Sequence, residues 1–142
     1  MFRTPREVAE LVRKMVAGEG VFADLFAADG VLTYPFAPPG QPPQLHGREE
    51  IRAYFAGRSR DIFVMEGVDA VILQTEDPEV VVTEITHHGH STVTNGPYEF
   101  KALGVIRVRD GEIVRYDDYM NPIALATLSG RAGELAAALA EA

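Results

Sequence analysis

The chain has no cysteine and no tryptophan. Without cysteine there is no disulfide framework, no thiolate metal ligand and no cysteine nucleophile. It also lacks any run of Lys or Arg. Thirteen basic residues stand against 21 acidic ones, for a net charge of -8. Nucleic-acid binding needs a basic footprint, so that partner class is not expected. No apolar run is long enough to span a bilayer, and Met1-Phe2-Arg3-Thr4-Pro5 opens no apolar leader segment. No membrane partner is expected either, and a soluble cytoplasmic protein is the default. Phosphate-binding glycine loops, nucleophile elbows and dinucleotide fingerprints are missing. No organic cofactor is implied. What is present is 142 residues with 46% hydrophobic content, enough for a single domain, residues 1–142, with one substantial core.

The first half reads as helical. Thr4-Pro5-Arg6-Glu7 combines an N-cap, a first-turn proline and a capping-box glutamate. Val8, Leu11, Val12, Met15 and Val16 follow at helical spacing. Val21, Phe22, Leu25 and Phe26 predict a second short helix before Asp29-Gly30. Val31–Phe36 reads as a short strand, at a sheet edge or at its own end because Pro35 cannot donate to a ladder. A proline-rich loop, 37–43, leads to a helix opening at Gly47-Arg48-Glu49-Glu50, with Ile51, Tyr54 and Phe55 on one face.

From Ile62 the pattern turns to strands. Val68–Gln74, Val80–His90, Tyr98–Arg109 and Glu112–Met120 are separated by turn signals at 75–78, 94–97 and Asp110-Gly111. Short connections imply an antiparallel meander. Asn121-Pro122 then starts a helical segment, and a last helix carries Leu135 and Leu139. The expected fold class is α+β: a curved antiparallel sheet whose N-terminal helices enclose a cavity, a cone-like barrel.

Within the last strand, Asp117 and Asp118 are adjacent carboxylates. Neighbouring strand side chains point to opposite faces, so one of the two must face the covered side. A carboxylate in an apolar pocket is costly unless paired, protonated or used. Asp118 is therefore the leading candidate for proton transfer. Its alternative role is a strand-end carboxylate or a partner of Arg107, Arg109 or Arg115. Asp117, on the other face, is expected to pair with an arginine.

His87, His88 and His90 cluster in one strand. His88 and His90 share a face with Glu84, and His87 takes the other. The pattern fits hydrogen bonding or proton transfer better than a metal site, so no metal is assigned. Tyr34, Tyr98 and Tyr116 can hydrogen-bond a carbonyl or enolate oxygen, although strand tyrosines are more often packing residues. Phe36 and Phe55 read as core or pocket wall.

Three segments carry a family resemblance. Tyr34-Pro35-Phe36-Ala37-Pro38-Pro39-Gly40 followed by Gly47-Arg48-Glu49-Glu50-Ile51 resembles the SnoaL-like family of the nuclear-transport-factor-two-like (ketosteroid isomerase-like) superfamily. Thr75-Glu76-Asp77-Pro78, with Glu84 and His88-Gly89 after it, is similar to the phenazine-biosynthesis branch. Leu103-Gly104-Val105 through Asn121-Pro122 is similar to that branch and to limonene epoxide hydrolases.

The resemblance implies an enclosed cavity for a small hydrophobic ligand, and a homodimer built on the outer sheet face. It places Asp118 where the phenazine proteins keep an acid/base glutamate and the epoxide hydrolases a water-orienting aspartate. Val114, Tyr116, Asp118 and Met120 would then point inward, and Ile113, Arg115, Asp117 and Tyr119 outward. Asp118, Tyr34, His88 and Glu84 become the expected catalytic set, with Tyr116, Met120, Tyr98, Phe36 and Phe55 as ligand-binding residues. Two departures stand out. Tyr34 occupies the position of the ketosteroid isomerase base, and Ile85 and His87 occupy that of the epoxide hydrolase Arg-x-Asp. The implied chemistry is acid/base work on a hydrophobic or polyketide-like carbonyl compound by an isomerase, cyclase or dehydratase. A non-catalytic ligand-binding protein is the alternative, and an epoxide hydrolase a weaker one.

Overall fold

A computed structural model of the chain describes residues 1–57 and 62–142. Helix α1 spans Pro5–Val16 and begins with the expected capping box. Thr4 Oγ1 accepts from the Glu7 amide at 3.1 Å, and Glu7 Oε1 accepts from the Thr4 amide at 3.1 Å. Its apolar stripe buries Val8, Ala9 and Val12 against three strands of the sheet. A 3₁₀ turn, Phe22–Leu25, follows, and the chain then extends at once into β1, Phe26–Thr33. The strand thus starts five residues earlier than expected. Asp29-Gly30 lies inside it, at an irregularity in its pairing. Tyr34 and Pro35 fall just past its end, so the proline removes no ladder hydrogen bond.

The short strand β2, Gln44–His46, returns antiparallel along β1. Helix α2, Arg48–Ala56, packs on β1 and the 3₁₀ turn. Four long strands complete the sheet: β3 Phe63–Gln74, β4 Val80–Ser91, β5 Pro97–Arg109 and β6 Glu112–Met120. Helices α3, Pro122–Leu128, and α4, Ala132–Glu141, end the chain. Asn121 Oδ1 caps α3 by accepting from the amides of Ile123 and Ala124.

The class is α+β as expected, but the sheet is mixed and open. Its order is β2-β1-β6-β5-β4-β3. The β3–β6 meander is antiparallel, whereas β1 lies parallel to β6, with Leu32 beside Tyr116. No hairpin joins β1 to β6, so no turn geometry sets their relative direction. The sheet curls over α1 and α2 without closing, leaving β2 and β3 as edges. Phe26, Leu32, Ile51, Ile106 and Ile113 are fully buried between the concave face and the helices.

Two bulges adjust the strands. In β3 the pairing shifts between Met65 and Gly67, opposite Gly89 of β4. A Cβ at Gly89 would collide with the Val64 backbone, so glycine is required there by close approach. In β6 the register shifts so that Arg115 faces Arg107 while Ile113 faces Val108. Val114 is the extra residue. This corrects the simple alternation: Ile113 turns inward and is fully buried, and Val114 loses the inward place. From Tyr116 onward the alternation holds. Among the described residues no helix is long and apolar enough to cross a membrane.

Candidate active site

The concave face, α1, α2 and the 3₁₀ turn bound a cavity of about 640 Å³. Its wall is mostly apolar, with Phe22, Phe55, Phe63, Ile85 and Phe100 among its members. The polar groups set into that wall include Asp118, Tyr116, Tyr34 and His87. An apolar pocket with few convergent polar groups is the usual form of a small-molecule site.

Asp118 comes from β6 and points inward. Its neighbour across the ladder is Gly104 of β5, which offers no side chain to shield or bind it. Oδ1 is buried and has no hydrogen-bond partner. Burial alone raises the carboxyl to about 7, because a charge in low dielectric lacks the hydration that stabilises it. The structural alternative for Asp118 does not hold. Arg107 is three residues along β5 from Gly104, hence on the opposite face, and it pairs with Asp77 at 3.1 Å and Glu79 at 3.0 Å. Arg109 also holds Glu79. Arg115 takes Asp117 at 3.0 Å, and Thr33 Oγ1 donates to the same carboxylate at 2.6 Å. Asp117 is therefore arginine-paired, as expected.

Tyr116 stands two residues before Asp118 on the same face. Its phenol is pushed well above the usual tyrosine range, first by burial and then by the negative charge of Asp118. The Thr83 hydroxyl beside it opposes part of that rise, although Thr83 Oγ1 has no properly formed hydrogen bond. Tyr34 is buried just after β1 and lines the cavity near Tyr54, with ring centres 6.4 Å apart. Met120 lines the inner wall. Phe55 stands half-open in it.

The histidine assignment is corrected. His87 lines the cavity, packed between Phe63 and Phe100, and its Nδ1 lies 2.8 Å from the Tyr98 hydroxyl. His88 and Glu84 lie on the outer face. His88 packs over Gly67, and Glu84 pairs with Lys101 at 3.3 Å. Strand parity separates both from Asp118. The signal was present: Val81, Thr83 and Ile85 run in phase with His87, whereas Glu84 and Thr86 run in phase with His88. Tyr98 is buried and is not among the residues lining the cavity; its hydroxyl meets His87 instead. Phe36 is 61% exposed and rests against Tyr119 on the outer side, away from the wall to which it was assigned. It follows Pro35 past the end of β1, where strand alternation no longer directs it.

The open, curled α+β sheet is similar to that of a solved protein of ketosteroid isomerase-like fold from Catenulispora acidiphila, with a TM-score of 0.63 at 25% identity over 90% of this chain and 95% of that one. Residues 8–116 match the model of the SnoaL-like domain, and the chain belongs to the SnoaL-like family. It is 36% identical over 102 residues to an uncharacterized PhzA/B-like protein of Pseudomonas aeruginosa, covering 72% of each chain. A solved structure of a provisionally assigned isomerase from Bacillus subtilis superposes with a TM-score of 0.79 at 26% identity, covering 89% of this chain and 93% of that one. A provisionally assigned polyketide cyclase from Pseudomonas putida gives 0.68 at 19% identity, over 89% and 98% of the two chains, a likeness of fold alone.

Proposed function

We propose that the chain is a small-molecule enzyme that moves a proton on a hydrophobic or polyketide-like carbonyl compound, as an isomerase, cyclase or dehydratase. The observation that carries this reading is the unpaired Asp118 carboxyl in the cavity wall. A group titrating near 7 is matched to accept and return a proton at neutral pH. Ionised Asp118 would take the proton next to the carbonyl. The phenol of Tyr116 or Tyr34 would donate to the oxygen as negative charge develops there. The apolar wall excludes water, which strengthens both interactions. His87 replaces His88 as the histidine within reach of a bound molecule, oriented by Tyr98.

The names of the two solved relatives, an isomerase and a polyketide cyclase, fit this reaction class. A bicyclic ketone such as 2-tetralone in heavy water tests the reading. The chain should accelerate exchange of the protons beside the carbonyl, and the rate should rise with pH to a plateau with its midpoint near 7. A rate no faster than buffer would refute it. Saturable binding without exchange would favour the ligand-binding alternative, which Tyr34 at the isomerase base position supports. The epoxide hydrolase reading needs an arginine beside Asp118, and Arg107 and Arg109 are both committed to Glu79.

The outer sheet face is proposed to pair two copies of the chain. Val71, Leu73 and Leu103 are exposed there. A sedimentation mass of two chains is expected at micromolar concentration, and a mass of one would exclude the dimer.

A further inference from the structure

The proline-rich loop 37–43 and helices α3 and α4 bound a second cavity, of about 460 Å³, whose wall includes Pro38, Pro39, Ser129, Arg131, Leu135 and Ala138. Gln41, Tyr54, Met120 and Leu125 line this outer cavity and the inner one alike, so the two adjoin at those four side chains. The junction lies close to the candidate acid/base group. Met120 follows Asp118 by two residues on the same face of β6, about 7 Å along the strand. The outer wall differs from the inner one. The Tyr34 amide donates to the Pro43 carbonyl at 2.8 Å and the Gln41 amide to the Pro38 carbonyl at 3.1 Å, which fold the loop on itself. Pro38, Pro39, Pro42 and Pro43 fix φ within it. A wall formed in advance loses little freedom when something binds against it. The polar groups of this wall include Gln41, Ser129 and the pair Arg131–Glu134. Arg131 Nε and a terminal guanidinium nitrogen both lie on Glu134 Oε2, at 2.8 and 2.7 Å, so the pair is neutral as a unit. The inner cavity is mostly apolar, whereas the outer one combines proline and aliphatic surface with polar groups of no net charge.

We propose that the outer cavity holds the arm of a two-part ligand. An apolar ring system fills the inner cavity, and an uncharged arm of ether or hydroxyl character passes Met120 and lies along the proline-rich loop. This arm site deepens the proton-transfer reading and rests on it for which part of the ligand reacts. A carbonyl placed at Asp118 is close to the junction, so the arm leaves the ligand a short way from the reacting carbon. An ether or hydroxyl arm suits a wall whose polar groups can donate or accept without a net charge to satisfy. A carboxylate arm does not suit it, because it would compete with Glu134 for Arg131 and add to a chain that already carries a net charge of -8.

Titrations followed by naphthalene fluorescence test the arm site without any turnover. The probes are 2-methoxynaphthalene, the same ring with a diethylene glycol arm in place of the methyl group, and that arm ended in a carboxylate. The wild-type chain should bind the hydroxyl-ended arm roughly tenfold tighter than 2-methoxynaphthalene, the net of burying its methylenes and fixing its rotors. The carboxylate-ended arm should bind more weakly than the hydroxyl-ended one. Ala138→Trp fills the outer cavity and should bring the armed probe down to the affinity of the bare ring. Helix α4 has no buried residue and packs on α3, so the fold should survive that change. Ala137→Trp, on the same helix but outside the cavity wall, should keep the preference. Equal affinity for the bare and armed rings in the wild type, or no binding of either, overturns the arm site. So does a preference that survives Ala138→Trp, one lost equally in Ala137→Trp, or tighter binding of the carboxylate arm. The two readings fail separately. Absent ketone exchange with an intact arm preference removes the enzyme and keeps the arm site. Exchange without the preference does the reverse.

Discussion

Asp118→Asn should slow ketone proton exchange by about 10²–10⁴-fold, the usual contribution of one positioned acid/base group. The substitution keeps the shape of the side chain and removes its ability to hold the proton between the two halves of the reaction. The cavity wall around it is apolar packing from β4, β5, β6 and the helices, none of which depends on a bond to Asp118. Folding should therefore survive, and near-UV circular dichroism should match the wild type. Asp117→Asn is the control. That carboxylate is one residue away, but it faces outward and is bonded to Thr33 and Arg115. Its loss should leave the exchange rate unchanged. The pH dependence should disappear with Asp118, since no other base in the wall is assigned the proton. Full exchange in Asp118→Asn would end the assignment.

The path to Asp118 was readable because strand parity is a property of the backbone. Two adjacent aspartates cannot share a face, and the turn at Asp110-Gly111 anchors the strand. Parity failed at Ile113, where a one-residue bulge at Val114 reverses the alternation. Bulges arise from cross-strand register, which a single strand does not display. The histidines show a different limit. Alternation separated His87 from His88, but choosing the buried one required weighing Ile85 and Thr83 against Glu84 and Thr86. The resemblance of the His88-Gly89 pair to the phenazine-biosynthesis branch points the other way. The parallel β1–β6 pairing was hidden because those strands are far apart in sequence, and only hairpin neighbours announce their direction.

Asp118 should also make the fold less stable as pH rises, and this can be measured without any substrate. Its carboxyl moves from an ordinary 3.8 to about 7 on folding. Between those values the folded chain holds more of the proton than the unfolded chain does, so stability falls as pH rises through that window. The full rise corresponds to about 4 kcal/mol as an order of magnitude. Other groups titrate too. Glu79 is lowered to about 2, chiefly by its hydrogen bonds to Arg109 and Arg107. Its contribution has the opposite sign, present above 4.5 and lost as pH falls toward 2. That effect is common to wild type and Asp118→Asn, so comparing the two chains cancels it. In urea titrations from about pH 4 to about pH 8, the wild type should lose stability relative to Asp118→Asn by several kcal/mol, most steeply below 7. A stability difference that stays constant with pH would mean that Asp118 is solvated in the folded chain. The raised value that matches Asp118 to proton transfer near neutral pH would then be absent, and the exchange rate would lose its midpoint near 7.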